Sequence, residues 1–425
     1  MSRVAKRFLR ENGMHADSVD FDFQVRRFTA HMEAGLKGER SSLLMLPTYV
    51  DATATPPRGR SAIAIDAGGT NLRVALVRFD GAGQAEIFGQ KKVPMPGSQG
   101  EITAEAFFAE LAGHIAPLLG ESDSLGFGFS FPSEILPNRD GRILAFCKEV
   151  RVSGAEGMEL GCSLNRALRD LGHGELRITV VNDTLAGMLG DIATGAVCGY
   201  SNYVGLIYGT GMNICYCERT ENIKKLGLTA PPSMVVNTES GIYTGFIRCD
   251  CDRALDASTE NPGDHQFEKM VSGAYLGPLF RECLRLAAEQ GLFDPATAEN
   301  IRALESLESF ELDRLLENSP GSRLASLCAT AEAAEAMKAL CEGLYDRAAK
   351  LMAVALFAVI RKCGGGTQAA PVCILAEGST FYKANRFKER LEGFLGPKCA
   401  EAGMYYVFAK SDVPNLVGAA AAAWM

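Results

Sequence analysis

The stretch from Ser61 to Asp80, SAIAIDAGGTNLRVALVRFD, constrains the fold of this chain more than any other. Ile63, Ala64 and Ile65 form a short apolar run, and a second run extends from Leu72 to Phe79. Between them stand Asp66, Ala67, Gly68, Gly69, Thr70 and Asn71. Two β-rich runs split by paired glycines and small polar residues predict a hairpin with a tight turn. Glycine admits positive φ and leaves backbone N–H groups unmasked, so such a turn can form a concave, anion-binding nest. Asp66, at the end of the first strand, can face a metal ion, and Arg73 on the second can face a phosphate oxygen. An ordinary Gly-Gly hairpin explains this stretch alone almost as well; three motifs downstream shift the balance.

The first of these is NYVGLIYGTGMNICYCE, Asn202 to Glu218, which repeats the same logic: a strand, then Gly209-Thr210-Gly211, then Asn213, then a strand. Two such hairpins suggest an internal duplication, and two facing halves would hold a nucleotide in the cleft between them. Between the hairpins the pattern alternates. Ile102 to Leu119 reads as an amphipathic helix with Phe107, Phe108, Leu111 and Ile115 on one side. Ser124 to Phe131 reads as a buried strand, Met158 to Leu171 as a helix, and Glu175 to Asn182 as a strand ending in Asn-Asp-Thr. Strands alternating with helices indicate an α/β layered fold.

Upstream, residues 1–40 have helical spacing through Phe21, Phe23, Val25, Phe28 and Met32, and Met45 to Arg60 is an extended connector at a domain boundary. Downstream, Met234 to Tyr243 contributes MVVNTESGIY, and Gln266 to Phe280 reads as one helix. Much of 290–362 is helical without a motif. Pro371 to Ala376 is a buried strand followed by Glu377, Gly378 and Ser379, and the chain ends in a small-residue helix expected to pack tightly on a sheet.

A chain of 425 residues, 47% hydrophobic and 22% charged, is long enough for two or more globular domains. Its net charge of −8 argues against a nucleic-acid partner, which needs clustered Lys and Arg. The 13 cysteines lack paired CxxC spacing, and the basic N-terminus has no apolar signal core, so free thiols in a reducing cytoplasm are expected. Cys215 and Cys217 fall on one face of a strand, and Cys249 and Cys251 repeat that spacing. A zinc site is conceivable, with buried small hydrophobes the favoured reading. The longest apolar run, Met352 to Ile360, fits a buried helix rather than a membrane span.

The polar residues at strand ends and turns are Asp66, Thr70, Arg73, Ser130, Lys148, Asn182, Asp183, Asn213, Glu239 and Glu268. Acids and amides meeting in a cleft suit a polyol, whose hydroxyls each donate and accept. The chain has no GxxxxGK[ST] stretch, so phosphoryl transfer on it must rely on hairpin backbones. Such a transfer passes through a loose transition state and is governed by positioning and electrostatics, which Mg²⁺, Arg73 and hairpin N–H groups can supply. Asp183, at a strand end, is a candidate general base. An Asx-type turn explains it equally well from spacing alone.

Taken together, the islands MLPTYV, IDAGGTNLRV, LGFGFSFPSE, VVNDT, GLIYGTGMNICYCE, NTESG, FEKMVSGAYLG and EGSTFYK resemble the hexokinase family, in family order from Met45 to Lys383. The resemblance implies an α/β, two-domain actin-like ATPase (ribonuclease H-like) fold with duplicated halves and an interdomain cleft. It implies ATP with Mg²⁺ carried on it and a hexose as partners, glucose being the expected acceptor, in a monomer or homodimer without membrane contact. Carried over by motif, Asp66, Gly68, Gly69, Thr70, Asn71 and Arg73 form the first phosphate loop. Gly209, Thr210 and Gly211 form the second, and Gly378 and Ser379 lie near the adenosine. Ser130, Phe131, Lys148, Asn182, Asp183, Asn213, Glu239 and Glu268 match the sugar contacts, with Asp183 as general base and Arg73 beside it in catalysis. No residue is assigned as a direct metal ligand, the ion lying near Asp66 and Asp183. The implied division is 1–60 as N-terminal helix and connector packing with the large domain, 61–183 as the small domain, 184–412 as the large domain, and 413–425 as a helix returning to the small one. The chain departs from the family at Cys147-Lys148-Glu149-Val150, where a Thr-Lys-Gly-Phe is usual, at Ser240 in place of Trp, and at Ala274 in place of a nucleotide-side lysine. These departures leave open a different hexose preference (mannose, fructose or an amino sugar) or a sugar-binding sensor of weak activity.

Overall fold

Ten strands in two sheets carry the architecture of the computed structural model, which describes residues 3–51, 57–68, 70–146, 150–195, 199–410 and 413–425. The first sheet contains β1 (Arg60–Ala67), β2 (Asn71–Phe79), β3 (Ala85–Pro94), β4 (Ser124–Phe129) and β5 (Arg177–Val181), in the order β5-β4-β1-β2-β3. Strands β1 to β3 form an antiparallel meander, while β4 and β5 join the other side of β1 in parallel. The second sheet contains β6 (Asn202–Tyr208), β7 (Met212–Arg219), β8 (Ser233–Asn237), β9 (Val372–Glu377) and β10 (Tyr406–Lys410), in the order β8-β7-β6-β9-β10. Its first three strands are again an antiparallel meander, and β9 and β10 again join in parallel. One strand plan is therefore used twice, as the paired hairpins of the sequence suggested. The connector adds Leu46–Pro47 as a short antiparallel strand outside β8.

The alternation of small and large residues along β1 decides what packs on each face. Ile63 and Ile65 face a core with Phe107, Leu111 and Phe127. Ala62 and Ala64 face the other way, into a layer built from the helices Asp183–Thr194 and Asn415–Ala422. That layer also holds Cys215, Cys217 and Cys373 of the second sheet, so it joins the two halves. Its close approach explains the small residues: a Cβ on Gly126 would lie 1.7 Å from the Ala419 carbonyl oxygen, and one on Gly418 would lie 1.6 Å from that of Ala186.

The N-terminal helix Phe21–Lys37 is capped by Asp20, whose carboxylate accepts from the Phe23 N–H, and it ends at Gly38 with φ of 78°. It packs on the 32-residue helix Ala331–Lys362, with Phe21 edge-on to Phe357. The apolar run Met352 to Ile360 lies in this helix and is buried on every side. No helix among the described residues is long and apolar enough to cross a membrane.

Two sequence expectations need correction. Gln266 to Phe280 is two helices, Gln266–Val271 and Leu276–Glu289. Helical geometry is lost between them because the Gly273 and Ala274 N–H groups donate to the Gly209 and Thr210 carbonyls. Cys249 and Cys251 are not on a strand; they begin the helix Asp250–Ser258, with Cys249 at its N-cap.

Candidate active site

The hairpin register sets the first turn. Asp66 and Arg73 stand directly opposite each other across β1 and β2, and Arg73 Nη1 donates to Asp66 Oδ2 at 2.6 Å. The expected separate roles, metal for one and phosphate for the other, start from a mutual ion pair. Asp66 is 8% exposed in its side chain and Arg73 38%, so the guanidinium is the reachable partner. The Gly68 N–H donates to the Asn71 carbonyl, and Thr70 is exposed beside Asn71, whose Nδ2 donates to Thr70 Oγ1 at 2.8 Å. Gly69 lies outside the described residues. Ser130 follows β4 at this turn, its N–H donating to the Ala67 carbonyl. The Phe131 ring is 2% exposed and packs on Phe129 and Phe146, so it supports the wall from behind.

The second turn is built by its neighbours. Within it the Gly209 N–H donates to the Gly211 carbonyl at 2.9 Å. Gly273 N–H and Thr380 Oγ1 both donate to the Gly209 carbonyl at 2.8 Å, and Ala274 N–H donates to that of Thr210 at 3.0 Å. Gly378 has φ of 112°, and a Cβ there would lie 2.2 Å from the Tyr208 carbonyl oxygen. Thr210 and Ser379 line one cavity of about 510 Å³, within the usual range for small-molecule clefts. Thr380 and the Gly273 region were not assigned from sequence, although both lie inside motifs already singled out.

On the sugar-side set, Asn213 Nδ2 donates to Asn237 Oδ1, and Asn237 Nδ2 donates to Glu239 Oε1 at 2.6 Å. Asn237 is thus a link that sequence reasoning missed, though NTESG contained it. Glu239 has φ of 52°, which turns the chain sharply after β8. Glu268 Oε2 accepts from the Met212 N–H at 2.9 Å, placing this carboxylate against the second turn. Burial pushes the Glu239 carboxyl up; the Asn237 hydrogen bond opposes this, and the negative Asp183 and Glu268 reinforce it. Asp183, Glu239 and Glu268 therefore share one neighbourhood. Lys148 lies outside the described residues.

Asp183 begins the helix Asp183–Thr194, and Asn182 caps it. The Thr184 N–H donates to both Asn182 Oδ1 and Asp183 Oδ1 at 2.8 Å. The turn reading of this pair thus holds alongside whatever chemistry Asp183 performs. A second missed residue is Glu377 at the end of β9. Its carboxyl is pushed up to about 7 by burial first and then by Asp183, Asp191 and Asp66. Glu377 presses on the helix that Asp183 begins: a Cβ on Gly187 would lie 2.0 Å from Glu377 Oε1.

The repeated strand plan with the two turns defines the actin-like ATPase class of fold. The solved structure of hexokinase from Schistosoma mansoni complexed with glucose matches this chain with a TM-score of 0.77 and 25% identity, over 99% of this chain and 98% of that one. Hexokinase family models match residues 8–192 and 203–425, and the chain belongs to the hexokinase family. Mouse hexokinase-3 is 33% identical over 402 residues, covering 87% of this chain. Hexokinase-1 of Oryza sativa subsp. japonica is 31% identical over 433 residues, covering 92% of this chain and 85% of that protein. The chain spans only 42% of the length of the mouse relative.

Proposed function

We propose that this chain transfers the γ-phosphoryl group of ATP to the 6-hydroxyl of a hexose, glucose first among candidates, with Asp183 as general base. The observation that supports this reading is that the negative charge of Asp183, at the start of its helix, helps raise both the Glu239 carboxyl, among the amides and acids suited to a sugar, and the Glu377 carboxyl, which directly precedes Gly378. A carboxylate between a polyol site and a phosphate site is where a hydroxyl must lose its proton as it attacks.

In this reading Asn213, Asn237, Glu239 and Glu268 hold the sugar hydroxyls, joined by Ser130 and Lys148. Asp183 accepts the 6-hydroxyl proton. Arg73 and the turn N–H groups donate to the phosphoryl oxygens, where charge spreads in the transition state. Asp66 and Asp183 both help raise the Glu377 carboxyl, and that concentration of negative charge would suit a cation carried with ATP. Mg²⁺ bound there would neutralise charge on the phosphoryl oxygens. The first lobe would comprise 61–183 and the helix from 413, and the second 184–412 with 1–60. Closing them over the sugar would exclude water as a competing acceptor.

Two measurements test the proposal: ADP release with ATP and a panel of hexoses, and hexose binding by calorimetry. Asp183→Ala should lower turnover at least ~10²-fold while hexose still binds. An unchanged rate would remove Asp183 as the base. Hexose binding without ADP release from the unaltered chain would favour a sensor.

A further inference from the structure

The N-terminal helices, the helix Asp250–Ser258 and the long helix Ala331–Lys362 meet around a cavity of about 220 Å³ that neither glycine turn lines. Two buried polar side chains from different helices face it. Gln24, in the first turn of Phe21–Lys37, is 2% exposed, yet its amide makes no hydrogen bond among the described residues and its Oε1 is sealed from solvent. Arg347, also 2% exposed, gives one edge of its guanidinium to Asp252: Nη1 donates to Oδ1 at 3.0 Å, and Nη2 donates to Oδ2. The other Nη1 hydrogen goes to Met14 Sδ at 3.6 Å. The Nε–H and the second Nη2 hydrogen share the opposite edge of the fork and have no partner among the described residues.

Charge and shape narrow what can complete these groups. Arg347 is balanced by Asp252. Arg248, on the cavity wall, shares its carboxylate: Asp256 accepts from Arg248 Nη1 at 2.9 Å and from Lys269 Nζ at 2.6 Å. That wall therefore holds one positive charge in excess. The acids at the rim, Glu11 and Asp250, are already paired with Arg7 and Arg253. The remaining wall is apolar, with Val19 and Leu351 buried and Ile247 exposed at the opening. The free edge of a guanidinium matches a carboxylate, and an amide oxygen needs a donor. The surplus charge favours a hydroxyl over an ammonium as that donor. The volume equals that of about seven waters, which limits the rest to a few carbons. We propose that this cavity binds a small hydroxycarboxylate, with its carboxylate on the Nε–Nη2 edge of Arg347, its hydroxyl donating to Gln24 Oε1 and its carbon chain on Val19 and Leu351. The site is separate from the kinase reading and goes beyond it.

The test is titration calorimetry of the full chain with 2-hydroxybutyrate, compared with butyrate, 2-hydroxybutyramide and 2-aminobutyrate. 2-Hydroxybutyrate should bind at least ~10-fold more tightly than each of the others, which lack the hydroxyl, lack the carboxylate or carry an ammonium. Gln24→Met keeps the length of the side chain and removes both polar ends. It should bring 2-hydroxybutyrate down to the affinity of butyrate. It should also raise the thermal midpoint of the free chain, because a buried amide without a partner is gone. A lower midpoint with unchanged binding would make Gln24 structural and overturn the proposal. Equal affinity for 2-hydroxybutyrate and its amide, or no binding up to about 50 mM, overturns it as well, whatever the chain does with ATP and a hexose. If Gln24→Met does not fold, a crystal structure of the unaltered chain with 2-hydroxybutyrate decides. A carboxylate on the free edge of Arg347 supports the site, and an empty cavity or a ligand bound elsewhere overturns it.

Discussion

The turn after Asp66 and the turn at Gly209 share a sequence logic and the same place in a repeated strand plan, but different forces hold them. The first closes on itself, Gly68 to Asn71, with outside backbone support from the Met95 N–H on the Thr70 carbonyl. Its chemical groups are charged side chains, and Arg73 and Asp66 neutralise each other across the hairpin. The second is clasped from outside by Gly273, Ala274 and Thr380, with Gly378 pressed against the strand that leads into it. Duplication thus preserved the geometry and divided the work. One turn offers paired charges, with the Arg73 guanidinium reachable, and the other offers a backbone shape fixed by packing. Substitutions should separate the two.

The largest effect is expected at the packed turn. Gly378→Ala places a Cβ 2.2 Å from the Tyr208 carbonyl oxygen on a residue with φ of 112°, so both sterics and backbone strain oppose it. The kcat/KM for ATP should fall more than ~10²-fold and the thermal midpoint should drop with it. A normal KM and midpoint would mean that packing does not hold this turn. Arg73→Lys addresses the charged turn. It keeps the charge but loses the planar fork that can grip Asp66 or two phosphoryl oxygens. About a 10-fold to 10²-fold loss of kcat/KM is expected with little change in thermal midpoint, because a partly exposed pair contributes about 0–1 kcal/mol. A midpoint shift as large as that of Gly378→Ala would erase the distinction.

What was legible in the sequence follows the same division. The hairpins, their turns and the repeated plan could be read because strand period and glycine placement are local. Asp183, Glu239 and Glu268 were singled out because motif order carried them. What escaped depends on neighbours remote in sequence. The break between Val271 and Leu276 exists because Gly273 and Ala274 bond to a turn more than 60 residues earlier. A helical pattern across Gln266 to Phe280 contains no trace of that. Asn237 sat inside a quoted motif, but its bond to Asn213 spans two strands. Glu377 reads as an unremarkable strand end until burial and the charges of Asp183, Asp191 and Asp66, from other segments, raise its carboxyl.

Glu377 gives the finest test of the comparison. It directly precedes Gly378, which packs against the second turn, and the charge of Asp66 in the first turn helps, after burial, Asp183 and Asp191, to raise its carboxyl. Its carboxyl is raised from 4.5 to about 7, by burial and then by the negative charge of Asp183, Asp191 and Asp66. Between those values the folded chain holds a proton that the unfolded chain has released. Stability from this group is therefore full below about pH 4.5, declines as pH rises, and is lost above about pH 7. A shift of this size corresponds to at most about 3 kcal/mol, less where solvent reaches the group. Glu377→Gln removes the titration but keeps the shape. Its thermal midpoint should match the unaltered chain near pH 5 and exceed it near pH 8.5, while activity at the lower pH stays within about twofold. If the two midpoints run parallel across that range, neither burial nor the charges of Asp183, Asp191 and Asp66 raise Glu377, and it does not link the two turns.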